Sequence, residues 1–196
     1  SRAKEDVVLD KKFYKIYKKF SPGPITYIVN KKVNSKINSS ATANLKTVGI
    51  RFPKNKIIRK ILKNLSFPLA MPSANKSSGV SPVTPEDVSE EFNNKIKVIK
   101  GGVSKIGIES TVINLVGPIS ILRPGKITPK QIERILKIKI KFSSNQKIIK
   151  SPGSLKKHYS PGIPMYLNRV KCPKKYAFIT FGAKYPVTRN NFNLSK

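Results

Sequence analysis

The sequence predicts an α/β domain of the α+β type: a mixed sheet flanked by helices, followed by a linker and the start of a small second domain. Three observations carry this. Short β-branched runs alternate with segments whose apolar residues recur at helical spacing, and Pro, Gly or Asn turns separate most of them. Beyond residue 142 both periodicities stop. A hydrophobic content of 38% over 196 residues is low but permits a packed core.

The elements follow in chain order. "SRAKEDVVLDKKFYKIYKKF" reads as the middle of a helix-rich region, which suggests that the chain starts inside a domain. In it Phe13, Ile16, Tyr17 and Phe20 mark one helix face that stops at Ser21-Pro22-Gly23-Pro24. "ITYIVN" (25–30) is a strand, the polar residues 31–46 form a surface excursion, and "TVGIRF" (47–52) is a second strand. After Pro53, Ile57, Ile58, Ile61, Leu62 and Leu65 mark another helix face. "PLAM" (68–71) reads as a buried strand leading into a Ser-, Pro- and Gly-rich stretch that ends at Pro82. Thr84 caps the next helix, with Pro85 at its first position and Glu86 and Asp87 in its first turn. "IESTVINL" (108–115) and "ISIL" (119–122) are strands, and Thr128-Pro129-Lys130-Gln131 is a capping box opening a helix with Ile132, Ile135 and Leu136 inward.

Residues 143–165 carry repeated Pro-Gly turns and no period, the pattern of a long linker. "KKYAFITFGA" (174–183) is one new strand in what reads as the first piece of another domain, 166–196.

Forty basic residues stand against nine acidic ones, a net charge of +31, which suits partners that carry phosphate. Thirty-three of the forty are Lys, and with abundant Asn and Ile this is also what AT-rich codon usage produces. Cys172 is the one cysteine, so an intramolecular disulfide and a cysteine metal cluster are excluded. His158 is the one histidine, so a polyhistidine metal site is excluded too. No apolar run approaches the ~18 residues of a membrane span, no signal peptide opens the chain, and a cytoplasmic protein is expected. Walker A, Rossmann glycine and nucleophile-elbow patterns are missing.

Candidate binding residues come from strand alternation. Thr47, Gly49 and Arg51 share one face of their strand, a hydroxyl, a gap and a guanidinium able to hold a carboxylate or phosphate, while Val48, Ile50 and Phe52 face the core. The same face is also what a solvated edge strand presents. In "PLAMPSANKSSGVSP" Pro72 extends Met71, and Ser73 and Asn75 project together if the extension continues. Ser81 lies just before the Thr84 cap, so the helix N-terminus beside it is a candidate anion site; a plain loop has the same composition. Ser110 shares a face with Val112 and Asn114, and Glu109 with Thr111 and Ile113; either Glu109 or Ser110 could meet a ligand. Arg123, at a strand end before Pro-Gly, suits a phosphate or a surface salt bridge. His158 lies in the linker beside Tyr159.

Taken in order, "FSPGPIT", "TVGIRFP", "PLAMPSANKSSGVSP", "GGVSKIGIESTVINL", "ILRPGKIT" and "SPGSLKKHYSP" resemble the successive motifs of the threonylcarbamoyl-AMP synthase family, over roughly residues 13–165. The resemblance implies a YrdC-like twisted mixed sheet (1–142, lacking its N-terminal part), a linker that folds over the active site (143–165), and the beginning of a Rossmann-like C-terminal domain (166–196). It implies formation of threonylcarbamoyl-adenylate and pyrophosphate from L-threonine, bicarbonate or CO2, and ATP, for modification of a tRNA adenosine. Thr47, Ser73, Asn75, Ser81, Arg123 and His158 then match ATP-binding positions, and Arg51, Met71 and Ser110 match threonine-binding positions. No nucleophile and no protein metal site are implied, Mg2+ arriving with ATP; a tRNA-modifying transferase is the downstream partner. The family's Lys-x-Arg motif upstream of the Pro-Gly-Pro turn is missing, so the chain is expected to begin some tens of residues into the domain. Two other readings stand beside this one: an RNA-binding protein using a basic concave surface without catalysis, and a carbamoyl-adenylate-forming domain of the hydrogenase-maturation type.

Overall fold

The computed structural model describes residues 2–76, 79–142, 163–173, 175–185 and 190–195. The chain divides into two compact units, Ser1–Pro161 and Gly162–Lys196.

In the first unit a short helix, α1 (Ala3–Asp6), precedes α2 (Lys11–Phe20), and the strand β1 (Ile25–Asn30) follows. A 3-10 turn at Ser39–Thr42 leads to β2 (Thr47–Arg51), α3 (Lys56–Lys63) and α4 (Pro85–Glu91). Then come β3 (Thr111–Asn114), β4 (Ser120–Arg123), α5 (Pro129–Leu136) and β5 (Lys141–Phe142). The strands form one mixed sheet in the order β2-β1-β3-β4-β5. β1 is antiparallel to β2 and parallel to β3, β3 is antiparallel to β4, and β4 is parallel to β5.

The core lies on one face of this sheet. Ile25, Tyr27 and Val29 of β1, Ile113 of β3 and Ile121 of β4 meet Phe13 and Ile16 of α2 and Ile132 of α5. Alternation explains the division: every second residue of β1 enters the core, which leaves Thr26, Ile28 and Asn30 on the opposite face. In β2, Val48 and Ile50 pack on the core as the alternation requires, with Phe52 just beyond the strand. Phe13 stacks on Tyr17 and meets Tyr27 edge-on at 4.9 Å, making an aromatic centre beneath β1. Tyr27 is fully buried, and its hydroxyl lies 2.8 Å from Ser21 Oγ. Burial pushes its pKa up to about 12, against a smaller lowering by the Ser21 hydrogen bond.

Local chemistry sets the helix starts. Asp10 accepts from Phe13 N, Asn55 from Ile57 N and Ile58 N, and Thr84 and Thr128 form reciprocal capping boxes with Asp87 and Gln131. The helix after Pro53 exists, but α3 contributes no fully buried residue; its amphipathic pattern is met only by partial cover.

Other expectations change. "PLAM" is not a strand: residues 68–73 have no regular structure, and Leu69 and Met71 are exposed. Proline at 68 and 72 removes two backbone donors, and the segment pairs with no strand of the sheet. The strand expected over 108–115 begins only at Thr111, because Gly125 and Arg123 occupy the space beside residues 109–110. The two-residue β5 is too short to leave a pattern in sequence.

In the second unit β6 (Phe178–Thr180) pairs in parallel with β7 (Asn191–Asn193). The expected strand at 174–183 is thus three residues long, and its partner was not foreseen. Thr180 Oγ1 lies 2.8 Å from Asn191 Oδ1 across the pair. The expected linker lies almost wholly outside the described residues.

Candidate functional site

The sheet face opposite the core gathers most of the candidate side chains. The register sets Arg51 beside Thr26, Thr26 beside Val112, and Val112 beside Arg123. Two guanidinium-bearing residues therefore stand three strands apart on one row, about 14 Å at ordinary strand spacing. In the next row Gly49 faces Ile28 and Ile28 faces Asn114; Thr47 then pairs with Asn30.

Arg123 reaches this face because of a bulge. Ile113 pairs with Ile121 but Val112 pairs with Arg123, so Leu122 is the extra residue. Simple alternation would put Arg123 on the core side with Ile121; the bulge turns it to the other side. There Nε donates to the Ser110 carbonyl at 3.1 Å, Nη2 donates to Ser110 Oγ at 3.1 Å, and Nη1 pairs with Glu109 Oε2. Ser110 Oγ is also 2.8 Å from Thr26 Oγ1, and Ser81 Oγ donates to Glu109 Oε1 at 2.8 Å. The result is one chain of polar groups, Thr26–Ser110–Arg123–Glu109–Ser81, joining β1, the approach to β3, β4 and the loop before α4.

Gly125 makes this possible. A β-carbon there would lie 2.5 Å from Thr111 N and 2.7 Å from the Glu109 carbonyl oxygen. Only glycine lets the chain after Arg123 press against residues 109–111. Thr111 holds it there, donating to the Ile127 carbonyl at 2.8 Å and accepting from Ile127 N at 3.1 Å.

Arg51 is different. Among the described residues its guanidinium has no carboxylate or other hydrogen-bond partner. It remains accessible to solvent, while partial desolvation lowers its pKa from the ordinary arginine value. A guanidinium in that condition offers its donor fork to an incoming carboxylate or phosphate. Beside it Gly49 keeps the face open: a β-carbon there would sit 3.2 Å from Ile28 Cδ1 and 3.4 Å from Thr26 Cγ2.

The structure thus brings Arg51, Ser110, Arg123 and Ser81 onto or against one face, with Thr47 at its far end. It does not join Met71, Ser73 and Asn75 to that network. Met71 and Ser73 are exposed. Asn75 Nδ2 donates to the Lys76 and Gly79 carbonyls, closing its own turn, and its buried Oδ1 has no partner among the described residues. The α4 N-terminus is not an open anion site either, because Asp87 Oδ2 accepts from Val83 N and Thr84 N, so the chain's own carboxylate fills it. Hydrogen bonding to those amides and to Thr84 holds the Asp87 pKa below the usual carboxylate value. His158 lies outside the described residues. Thr26 was missed, although a threonine alternating with Ile25, Tyr27 and Val29 is a legible sign of a second, polar face. Glu109 was expected to share a face with Thr111 and Ile113; it lies before the strand, and its side chain turns to Arg123.

Comparison with known proteins shows the family and the fold. The Sua5/YciO/YrdC family model, described as "Telomere recombination", matches residues 1–125. The chain belongs to this family. A second model, the C-terminal domain of threonylcarbamoyl-AMP synthase, matches residues 127–190. The threonylcarbamoyl-AMP synthase of Pyrococcus abyssi is 37% identical over 74% of this chain and 44% of its own length. That of Bacillus subtilis is 36% identical over 76% of this chain and 44% of its own length. The chain therefore spans less than half the length of these relatives. In structure it resembles P. abyssi Sua5 complexed with L-threonine, with a TM-score of 0.80, 28% identity, and coverage of all of this chain and 64% of that one. The mixed α/β architecture expected from the sequence is the one this family member has. Among the described residues, no helix is long and apolar enough to cross a membrane, and no group of three or more His, Cys, Asp or Glu could hold a metal ion.

Proposed function

We propose that this chain forms the substrate-binding face of a threonylcarbamoyl-AMP synthase, a nucleotidyltransferase that joins L-threonine, bicarbonate or CO2, and ATP. Arg51 carries the reading: a partly desolvated guanidinium without a partner among the described residues, on a sheet face shared with Thr26 and Ser110. L-Threonine in the related Sua5 structure supports an amino-acid carboxylate as its ligand. In this reading Arg51 takes the threonine carboxylate, and Met71 and Ser110 border the same pocket. Ser81 and Arg123 take the nucleotide, and Thr47, Ser73, Asn75 and His158 are its further proposed contacts.

The chemistry needs placement rather than a protein nucleophile. The neutral threonine amine adds to CO2, and loss of its proton gives a carbamate. A carbamate oxygen attacks the α-phosphorus, the bond to the β-phosphate oxygen breaks, and pyrophosphate leaves with the electron pair. Donors such as Arg123 stabilise charge as it gathers on the phosphates, and the shared face holds the two reactants together. Glu109 is the one carboxylate in the polar chain, and it is committed to Arg123 and Ser81. This donor set does not suit a protein-built Mg2+ cage, so Mg2+ enters as the ATP complex. The adenylate would pass to a transferase that modifies tRNA adenosine, in the cytoplasm where tRNA is found.

The test uses the full-length protein, with ATP, Mg2+, threonine and bicarbonate. Pyrophosphate release that requires both threonine and bicarbonate supports the proposal. Folded protein that releases none, while binding RNA with a steep salt dependence, would replace it with the nucleic-acid reading.

A further inference from the structure

Glu109 is the one acidic residue between Glu91 and Glu133 in a chain with nine, yet it lies against the face assigned above to a polyanion. A carboxylate there repels phosphate, so its presence calls for a compensating role. Its side chain is 18% exposed and each oxygen is engaged, Oε1 by Ser81 and Oε2 by Arg123. These partners come from separate elements: Ser81 from the loop before α4, and Arg123 from the bulged end of β4. Among the described residues, the loop's other side-chain bonds are internal or reach α4, with Asn75 donating to the Gly79 carbonyl and Glu91 accepting from Lys76 N.

Resting on the function proposed above, we infer that Glu109 is a positioning residue. It clamps Ser81, in the loop before α4, to Arg123, so that these two nucleotide contacts keep one spacing. It acts through Ser81 and Arg123 and does not itself touch the substrate. Charge balance alone is a different role, and the two separate by substitution. Glutamine keeps the clamp without the charge: its carbonyl oxygen accepts from Arg123, and its amide donates to Ser81 Oγ. Alanine loses both.

The experiment compares full-length wild type with Glu109→Gln, Glu109→Ala, Ser81→Ala and the Ser81→Ala/Glu109→Ala pair. ATP binding is measured by calorimetry, KM for ATP and threonine by pyrophosphate release, and amide exchange over residues 79–84 by mass spectrometry. Losing the Arg123 ion pair and the charge-assisted Ser81 hydrogen bond should weaken ATP binding roughly 10- to 30-fold in Glu109→Ala. The threonine KM should move less than about threefold, and exchange at 79–84 should rise. Glu109→Gln should stay within about threefold of wild type. In amide exchange at 79–84, Ser81→Ala should add little once Glu109 is alanine, since both break the same link. Equal effects of Gln and Ala, additive Ser81 and Glu109 effects on that exchange, or unchanged exchange at 79–84 in Glu109→Ala would each overturn the clamp. If Glu109→Ala does not fold, the exchange at 79–84 in Ser81→Ala decides. Exchange and ATP binding do not need the reaction, so a wild type that binds ATP but releases no pyrophosphate refutes the proposed function and leaves the clamp testable.

Discussion

One added methyl group at Gly125 should separate Arg123 from the rest of the site. The β-carbon of Gly125→Ala would start 2.5 Å from Thr111 N, so the two chains must open by about 0.9 Å to reach ordinary contact at 3.4 Å. That shift stretches the Thr111–Ile127 hydrogen bonds, now 2.8 and 3.1 Å, past useful length. Thr111 and Ile127 are both buried, so the freed Ile127 N–H and carbonyl find no easy replacement. Each such group costs about 1–3 kcal/mol. Thr111→Val removes the same two bonds without the clash and should therefore lose roughly 2–6 kcal/mol. Gly125→Ala should lose at least as much, and it should also carry Arg123, two residues earlier, away from the Ser110 carbonyl. Urea unfolding of the full-length protein reads the stability, and KM for ATP reads the position of Arg123. Gly125→Ala should raise that KM more than Thr111→Val does. If Gly125→Ala is as stable as wild type with an unchanged KM, the close approach of these chains does not hold Arg123 in place.

Arg51→Ala should raise the KM for threonine on the order of 10- to 100-fold, the range expected for losing a charge-assisted carboxylate pair, with ATP much less affected; an equal rise for both would remove Arg51 from the threonine pocket. Gly49→Val would push side-chain carbon toward Ile28 and Thr26. Stability should change by only about 1 kcal/mol, since valine is the better strand former, while threonine affinity measured by calorimetry should fall as the face fills. Tyr27 predicts an alkaline weakness. Below pH 10 both folded and unfolded chains keep its proton; between pH 10 and about 12 only the folded chain does, so stability falls as pH rises through that window. Two pKa units correspond to about 2–3 kcal/mol. Tyr27→Phe should lose that component of the slope when urea unfolding is compared at pH 9 and 11.5, and an identical slope in the two proteins would rule it out.

Much of this molecule is written locally. β1 occupies Ile25–Asn30 as its β-branched, aromatic pattern requires, and the Thr84 and Thr128 caps begin α4 and α5 where their side chains reach the first-turn amides. The two faces of β2 follow from alternation, which put Arg51 opposite the core before any partner strand was known. These features depend on residues within a few positions of one another, and a sequence displays them directly. What depends on a partner was not displayed. Arg123 faces the site because pairing with β3 leaves Leu122 as the extra residue, and nothing in "SILRPG" says where a bulge will fall. Glu109 departs from the face of Thr111 because Arg123 and Ser81, 14 and 28 residues away, each bind one oxygen of its carboxylate. "PLAM" reads as a strand by composition, but a strand needs a neighbour to take its backbone hydrogen bonds, and this segment pairs with none of the sheet's strands. Sequence alone decided which residues face away from the core on β1 and β2; only the tertiary structure decided which of them meet, because register and bulges belong to pairs of strands rather than to either strand alone.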